Sequence, residues 1–247
     1  MTNSIHPVPP RELIFVGSPD HFVQVGQEFV QYLVTLGGLK PDGSVLDIGA
    51  GVGRIALPLT RYLSTNARYE GLDIVEEGVR WCQENISRGF PNFTFQLIDI
   101  YNSRYNPDGC LRAEKFRFPY EDGRFDLVFL TSVFTHMLPV AVQNYLSEIS
   151  RVLRNGGRLL ATFFLLNNET AVLIQAGKSE LSFRHEFGGC RVETLSVPEA
   201  AVAYDEAAVG CLLEAAGLSL IGGGLHYGKW PGREQFMSYQ DVLVALK

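Results

Sequence analysis

Cysteine is scarce and dispersed in this 247-residue chain: Cys82, Cys110, Cys190 and Cys211 stand far apart, with no C-x-x-C pair. That spacing supports neither a zinc motif nor a disulfide framework, and buried free thiols are expected instead. The five histidines, His6, His21, His136, His185 and His226, form neither H-x-H nor H-E-x-x-H, so no metal site is expected. No apolar run approaches a membrane span; the longest, Leu159 to Leu166, is broken by Thr162. The N-terminus carries prolines and no apolar signal core, which argues against export and for a cytoplasmic protein. Positive charge is also short, with 21 Lys and Arg against 27 Asp and Glu and a net charge of −6. Such a balance argues against a nucleic-acid partner. Internal repeats, low-complexity tracts and long linkers are all missing.

What remains is an ordinary globular composition, 46% hydrophobic and 19% charged, in a length that suits one domain with extra elements. Short apolar runs alternate with helical periodicity, the pattern of an α/β fold with a largely parallel sheet. Phe22, Val25, Phe29, Tyr32, Leu33 and Leu36 stripe a first helix, ended by Gly37-Gly38. Strands are expected at 44–48, 68–73, 92–100, 125–130 and 158–166, with helices at 54–64, 75–86 and about 142–154. In the third strand Phe93, Phe95, Leu97 and Asp99 should share one face. Pro58 should disturb the start of the second helix, and Gly156-Gly157 should stop the helix before the fifth strand. Asp205 is placed to cap a helix striped by Val209, Leu212, Leu213 and Ala216. Two closing strands follow, at 218–221 and 241–246. Segment 101–120 is long and irregular, as functional loops often are, and 167–197 carries no clear pattern. Right-handed crossovers stack such units into a doubly wound sheet whose ligand site lies at the carboxyl ends of the strands.

The segment most directly tied to chemistry is Val45-Leu46-Asp47-Ile48-Gly49-Ala50-Gly51-Val52-Gly53-Arg54, a strand, a glycine turn and a helix start. Glycines there permit positive φ and close approach of a ligand, and the helix N-terminus favours an anionic group. A dinucleotide pyrophosphate and the methionine end of S-adenosylmethionine both suit this geometry. The dinucleotide pattern can be laid on Gly51, Gly53 and Ala56 but starts too late. Asp47 would repel a pyrophosphate and suits a ligand bearing an ammonium and a sulfonium.

The pattern D-x-G-x-G-x-G resembles the first motif of class I S-adenosylmethionine-dependent methyltransferases, and further motifs follow in that family's order. Asp73 closes the second strand, Asp99-Ile100 the third, Phe118 to Val128 is similar to the family's entry into strand four, and Arg151 to Leu159 resembles its turn into strand five. The resemblance implies a Rossmann-like, doubly wound, seven-stranded, mostly parallel sheet with an antiparallel closing strand and an N-terminal helical cap. A single domain is expected, with residues 1–38 as cap, 39–166 as cofactor core and 167–247 as substrate-side insert and closing strands. The implied cofactor is S-adenosyl-L-methionine. Asp73 would hold the ribose hydroxyls, Asp99 would face the adenine amino group and Ile100 would pack on its ring. Asp47, Gly49, Ala50, Gly51, Gly53, Ile74 and Thr131 would complete the cofactor site.

In several small-molecule members a His in the turn after strand four lies near the transferred methyl, which makes His136 the candidate base. No metal is implied, because Thr131 and Ser132 stand where the metal-dependent branch needs Asp. The absence of an (N/D)-P-P-(Y/F) tetrapeptide argues against base methylation of nucleic acid. The acceptor is expected to be a small organic molecule, most readily methylated at oxygen. Nitrogen and carbon acceptors, a nicotinamide-dependent reductase and a non-catalytic cofactor-binding module are the competing readings. Residues left over from the core motifs, among them Tyr101, Tyr105, Arg112, Arg191, Tyr227, Lys229, Trp230 and Arg233, are candidates for an aromatic and cationic acceptor wall.

Overall fold

A computed structural model describes residues 8–14 and 17–247. His6, like the rest of residues 1–7 and residues 15–16, lies outside the described residues. The chain divides into two compact units, Met1–Ile98 and Asp99–Lys247.

In the first unit, helix α1 (Phe22–Thr35) buries Phe22, Gly26, Phe29 and Leu33, the three-to-four spacing of an amphipathic helix. Gly26 is needed for its packing, since a Cβ there would lie 2.2 Å from the Arg54 carbonyl oxygen. Strand β1 (Ser44–Ile48) is buried from Val45 onward and runs into the glycine turn. Helix α2 spans only Ala56–Leu59, shorter than the expected 54–64. Pro58 has no N–H to give, and the chain then tightens into i to i+3 bonds, Arg61 to Pro58 at 3.1 Å and Tyr62 to Leu59 at 3.0 Å. Strand β2 (Arg68–Asp73) pairs in parallel with β1, setting Asp47 opposite Gly71. Helix α3 (Glu76–Cys82) continues into one π turn, Gln83–Ser87. Strand β3 (Phe93–Leu97) pairs in parallel with β2. Its alternation breaks earlier than expected: Leu97 is 42% exposed, while Ile98 is buried and its N–H bonds the Asp73 carbonyl at 2.9 Å.

The second unit carries β4 (Phe125–Leu130), α4 (Pro139–Val152) and β5 (Leu153–Phe163), with β4 and β5 parallel. The turn expected at Gly156-Gly157 is instead inside β5, which begins five residues before Arg158. The β4–β5 register shifts between Phe125 and Leu127, and Gly156, at φ +76°, sits in that irregularity. Strand β6 (Leu165–Leu166), helix α5 (Asn168–Gln175), β7 (His185–Phe187), β8 (Cys190–Val192) and β9 (Val202–Asp205) follow. The order β6-β9-β8-β7 makes a second, four-stranded sheet that the sequence pattern did not reveal. Helix α6 (Glu206–Ala215) starts at the Asp205 cap, whose carboxylate accepts the Ala207 and Ala208 N–H groups. Strands β10 (Ser219–His226) and β11 (Asp241–Leu246) close the chain, β11 antiparallel to both β5 and β10. Strands β1 to β5, β10 and β11 belong to one mostly parallel, seven-stranded sheet with β11 its antiparallel member.

Phe164, Phe183 and Trp230 pack ring against ring at centroid distances of 5.3 to 5.5 Å beside Ala201 and Ala203. All four cysteines are free, but the expectation of burial holds only for Cys82 and Cys190; Cys110 and Cys211 are exposed. Among the described residues no helix is long and apolar enough to cross a membrane.

Candidate functional site

The glycine turn after β1 is built by three alternating left-handed residues: Gly49, Gly51 and Gly53 have φ of +83°, +55° and +74°. Side chains resist that conformation, which explains the spacing. The Gly49 and Ala50 N–H groups both bond the Leu72 carbonyl, at 2.7 and 3.0 Å, and tie the turn to β2. Two of the glycines then divide the work. A Cβ on Gly53 would sit 2.6 Å from Ile86 Cδ1 and 3.0 Å from Cys82 Sγ, so Gly53 lets the α3 segment close on the turn. A Cβ on Gly51 would meet nothing within 4 Å, so Gly51 leaves an open, bare backbone surface.

Two buried carboxyl groups flank this surface. Asp47 is 2% exposed; its Oδ2 accepts the Tyr69 hydroxyl at 2.5 Å, and its Oδ1 has no partner among the described residues. Burial pushes the Asp47 carboxyl up to about 7, with the charge of Asp73 adding to the rise and Tyr69 and Arg54 opposing it. Asp73 accepts the Gly51 N–H at 2.6 Å and the Val75 N–H at 2.8 Å. Burial raises its carboxyl too, against those backbone donors. The Ile74 N–H opposes that rise as well, so three backbone donors share the four lone-pair sites of the carboxylate and leave room for a further hydroxyl donor. Ala50 is buried at the turn and Ile74 is half-buried beside Asp73. An unpartnered buried acceptor, bare glycine backbone and a carboxylate with a free acceptor position fit the methionine ammonium and the ribose of S-adenosylmethionine.

The remaining predicted residues lie in the second unit. Asp99 is exposed and accepts from Asn106 Nδ2 at 3.3 Å and the Cys110 N–H at 3.2 Å; the Asn106 bond leads in holding its carboxyl below the usual range. Ile100 is buried and bridges Leu111. Thr131 is buried at the end of β4.

Ser132, next along, was not among the predicted site residues. It holds φ +59°, a rare conformation for a side-chain-bearing residue and one that concentrates at functional turns. Its N–H bonds Thr162 Oγ1 at 2.8 Å, and both hydroxyls donate to Gln240 Oε1, at 3.2 Å from Ser132 and 2.6 Å from Thr162. Its only sequence signal is its position two residues past the fourth strand.

His136 ends a 3-10 turn, Phe134–His136, and is half-buried. Its Nδ1 lies 3.0 Å from the Glu199 carbonyl oxygen. A carbonyl only accepts, so Nδ1 carries the proton and the neutral ring has its lone pair on Nε2. Burial lowers its tendency to charge, the Glu199 carbonyl opposes that, and Arg104 adds to the lowering. The Tyr105 ring meets the imidazole edge to face at 5.4 Å.

Two members of the expected acceptor wall are structural instead. Trp230 is 1% exposed and its Nε1 donates to Asp241 at 2.7 Å, so its indole has no face for a ligand. Arg233 is buried between Asp241 and Glu169 and under the Tyr227 ring. Arg191 pairs with Glu186, Arg112 stacks on Tyr101, and Lys229 lies over Phe236.

Residues 46–161 match the methyltransferase domain family. A phthiotriol/phenolphthiotriol dimycocerosates methyltransferase of Mycobacterium ulcerans is 33% identical over 127 residues, 51% of this chain and 40% of that protein. A human tRNA N(3)-cytidine methyltransferase is 28% identical over 122 residues, 47% of this chain and 28% of that protein. The chain thus spans about half or less of the length of these curated relatives. In fold it resembles a SAM-dependent methyltransferase of Aquifex aeolicus, with a TM-score of 0.57 and 19% identity, covering 97% of this chain and 99% of that one.

Proposed function

Because residues 46–161 make up a class I S-adenosylmethionine-dependent methyltransferase domain, we propose that the chain transfers a methyl group to a hydroxyl of a small organic acceptor. The observation that carries the proposal is the glycine turn, with its bare Gly51 surface and the unpartnered Asp47 Oδ1 beside it. Asp47 would receive the methionine ammonium, Gly49, Ala50, Gly51 and Gly53 would line the cofactor, and Asp73 would take the ribose hydroxyls. Ile74, Asp99, Ile100 and Thr131 would complete that site. When bound, S-adenosylmethionine supplies an electrophilic methyl on a sulfonium.

His136 supports the preference for oxygen. A neutral imidazole with its lone pair on Nε2 is the form that accepts a hydroxyl proton as the oxygen attacks in line. As the acceptor oxygen takes up the methyl group, its hydroxyl proton would end on His136 Nε2. The net charge of −6 supports a small acceptor over a phosphate-rich polymer.

The test is methyl transfer from radiolabelled S-adenosylmethionine into a cell extract separated into small molecules and total tRNA, with Asp73→Ala and His136→Ala beside the wild type. Label in the small-molecule fraction is expected, lost with Asp73→Ala and reduced roughly 10²-fold or more with His136→Ala. Label in tRNA would overturn the acceptor class, and full turnover by His136→Ala would overturn the base. Absence of cofactor binding by calorimetry would overturn the whole reading.

A further inference from the structure

Two segments 96 residues apart in sequence meet around His136. One is the loop 102–105; the other is the 3-10 turn Pro198–Ala200. The Glu199 carboxylate does not face the imidazole as a hydrogen-bond partner. Its Oε2 accepts the Ser103 N–H at 3.0 Å and the Ser103 hydroxyl at 2.5 Å. The backbone carbonyl of the same residue takes the His136 Nδ1–H. Arg104 Nη1 adds a bond to the Ala200 carbonyl at 3.2 Å. On the other side, Asn102 Nδ2 donates to the His136 carbonyl at 3.3 Å, while Asn102 Oδ1 accepts the Arg104 and Tyr105 N–H groups, both at 3.0 Å. That turn aims the Tyr105 ring at the imidazole edge.

The geometry points to Glu199 as a positioning residue: latched to Ser103 by its carboxylate, it holds in place the carbonyl that decides which nitrogen of His136 carries the proton. This rests on the reading of His136 as the proton acceptor. The chemistry of the latch is specific. A free histidine side chain exchanges between tautomers and favours the proton on Nε2, the wrong nitrogen for a base that must act there. An uncharged carbonyl partner reverses that preference. A carboxylate partner would also reverse it, but would favour the imidazolium and raise the ring's affinity for a proton. With the Glu199 carboxylate committed to Ser103, the ring keeps its Nδ1–H tautomer and stays neutral near pH 7. Arg104 and Glu199 are the charged groups acting on the ring, and they act in opposite directions.

The test needs no acceptor. Histidine labelled with 15N and 13C reports tautomer and protonation ring by ring, and the chain has only five histidines. In the wild type, His136 should show the Nδ1–H pattern at pH 8 and titrate below the usual imidazole value. Glu199→Ala should shift the pattern toward Nε2–H and move the titration further down, because the carbonyl contact and the carboxylate charge that favour the imidazolium are weakened or lost. Ser103→Ala, which keeps the Ser103 N–H, should produce a smaller change in the same direction. Glu199→Gln, whose amide oxygen still accepts from Ser103, should restore the wild-type pattern. His226 on β10 should not move in any variant and serves as the fold control; if Glu199→Ala unfolds the chain, Ser103→Ala and Glu199→Gln carry the comparison. An Nε2–H pattern in the wild type, unmoved His136 signals in the alanine variants, or a glutamine variant that behaves like alanine would each overturn the latch. Full turnover by His136→Ala overturns the base reading while leaving these spectra unchanged, so the two fail separately.

Discussion

Asp47 is a carboxyl group that its own burial holds near neutrality, with an apparent value of about 7. Its stability contribution follows from the sign of that shift. A carboxyl raised from 3.8 to about 7 binds its proton more tightly when folded. Its contribution is therefore full below about pH 4 and lost as pH rises through about 7. A ligand cation at Oδ1 would stabilise the ionised form and drive the proton off. Cofactor binding at pH 6 is expected to release a proton and to strengthen as pH rises to about 7, then level off. Calorimetry in buffers of different ionisation enthalpy reads this directly. Asp47→Asn should abolish the proton release and stabilise the ligand-free chain at pH 8 relative to the wild type; equal release in both would refute the assignment. The position of Asp47 was legible in the sequence as the first member of D-x-G-x-G-x-G. Its protonation was not, because that depends on how deeply β1 and Tyr69 bury it.

At the scale of elements, Asp205 shows what local chemistry can specify. It ends β9, and its carboxylate takes the Ala207 and Ala208 N–H groups that open α6. Asp205→Ala should cost about 1 kcal/mol, seen as a lower urea midpoint with an unchanged slope. A loss near zero would mean that α6 is held by Val209 and Leu213 packing alone. The helix and its cap were readable because capping residue and apolar stripe agree. The small sheet was not readable, since β6 to β9 are two to four residues long and β7 is exposed throughout, leaving no alternation to detect. The ends of β3 and β5 were misread for a related reason. The break in alternation at Leu97 and Ile98 and the register shift around Gly156 disturb the period that predicts a strand edge. The turn at Ser132 was missed because its N–H is held by Thr162 and its hydroxyl by Gln240, both remote in sequence.

At the scale of the whole molecule, one buried carboxylate joins distant stretches of the second unit. Asp241 accepts from the Leu165 N–H, the Gly228 N–H, Trp230 Nε1 and Arg233 Nη1, all between 2.7 and 3.0 Å. Burial favours its neutral form, and these donors oppose that. Asp241→Asn would leave the buried Arg233 guanidinium with Glu169, which is 56% exposed, as its remaining carboxylate. A loss of about 3–5 kcal/mol is expected, measured by denaturant unfolding. A loss below about 1 kcal/mol would show that the aromatic packing of Phe164, Phe183 and Trp230 suffices without the ion pair.

That cluster has an optical consequence. The chain has two tryptophans, Trp81 in Met1–Ile98 and Trp230 in Asp99–Lys247, both shielded from water. Each unit therefore contains its own fluorophore. Replacing either indole by phenylalanine leaves a single emitter whose red shift on denaturation belongs to one unit alone. Coincident transitions from the two single-tryptophan proteins would mark one cooperative body. Separate transitions would show that the half bearing the glycine turn and the half bearing the candidate base can melt apart.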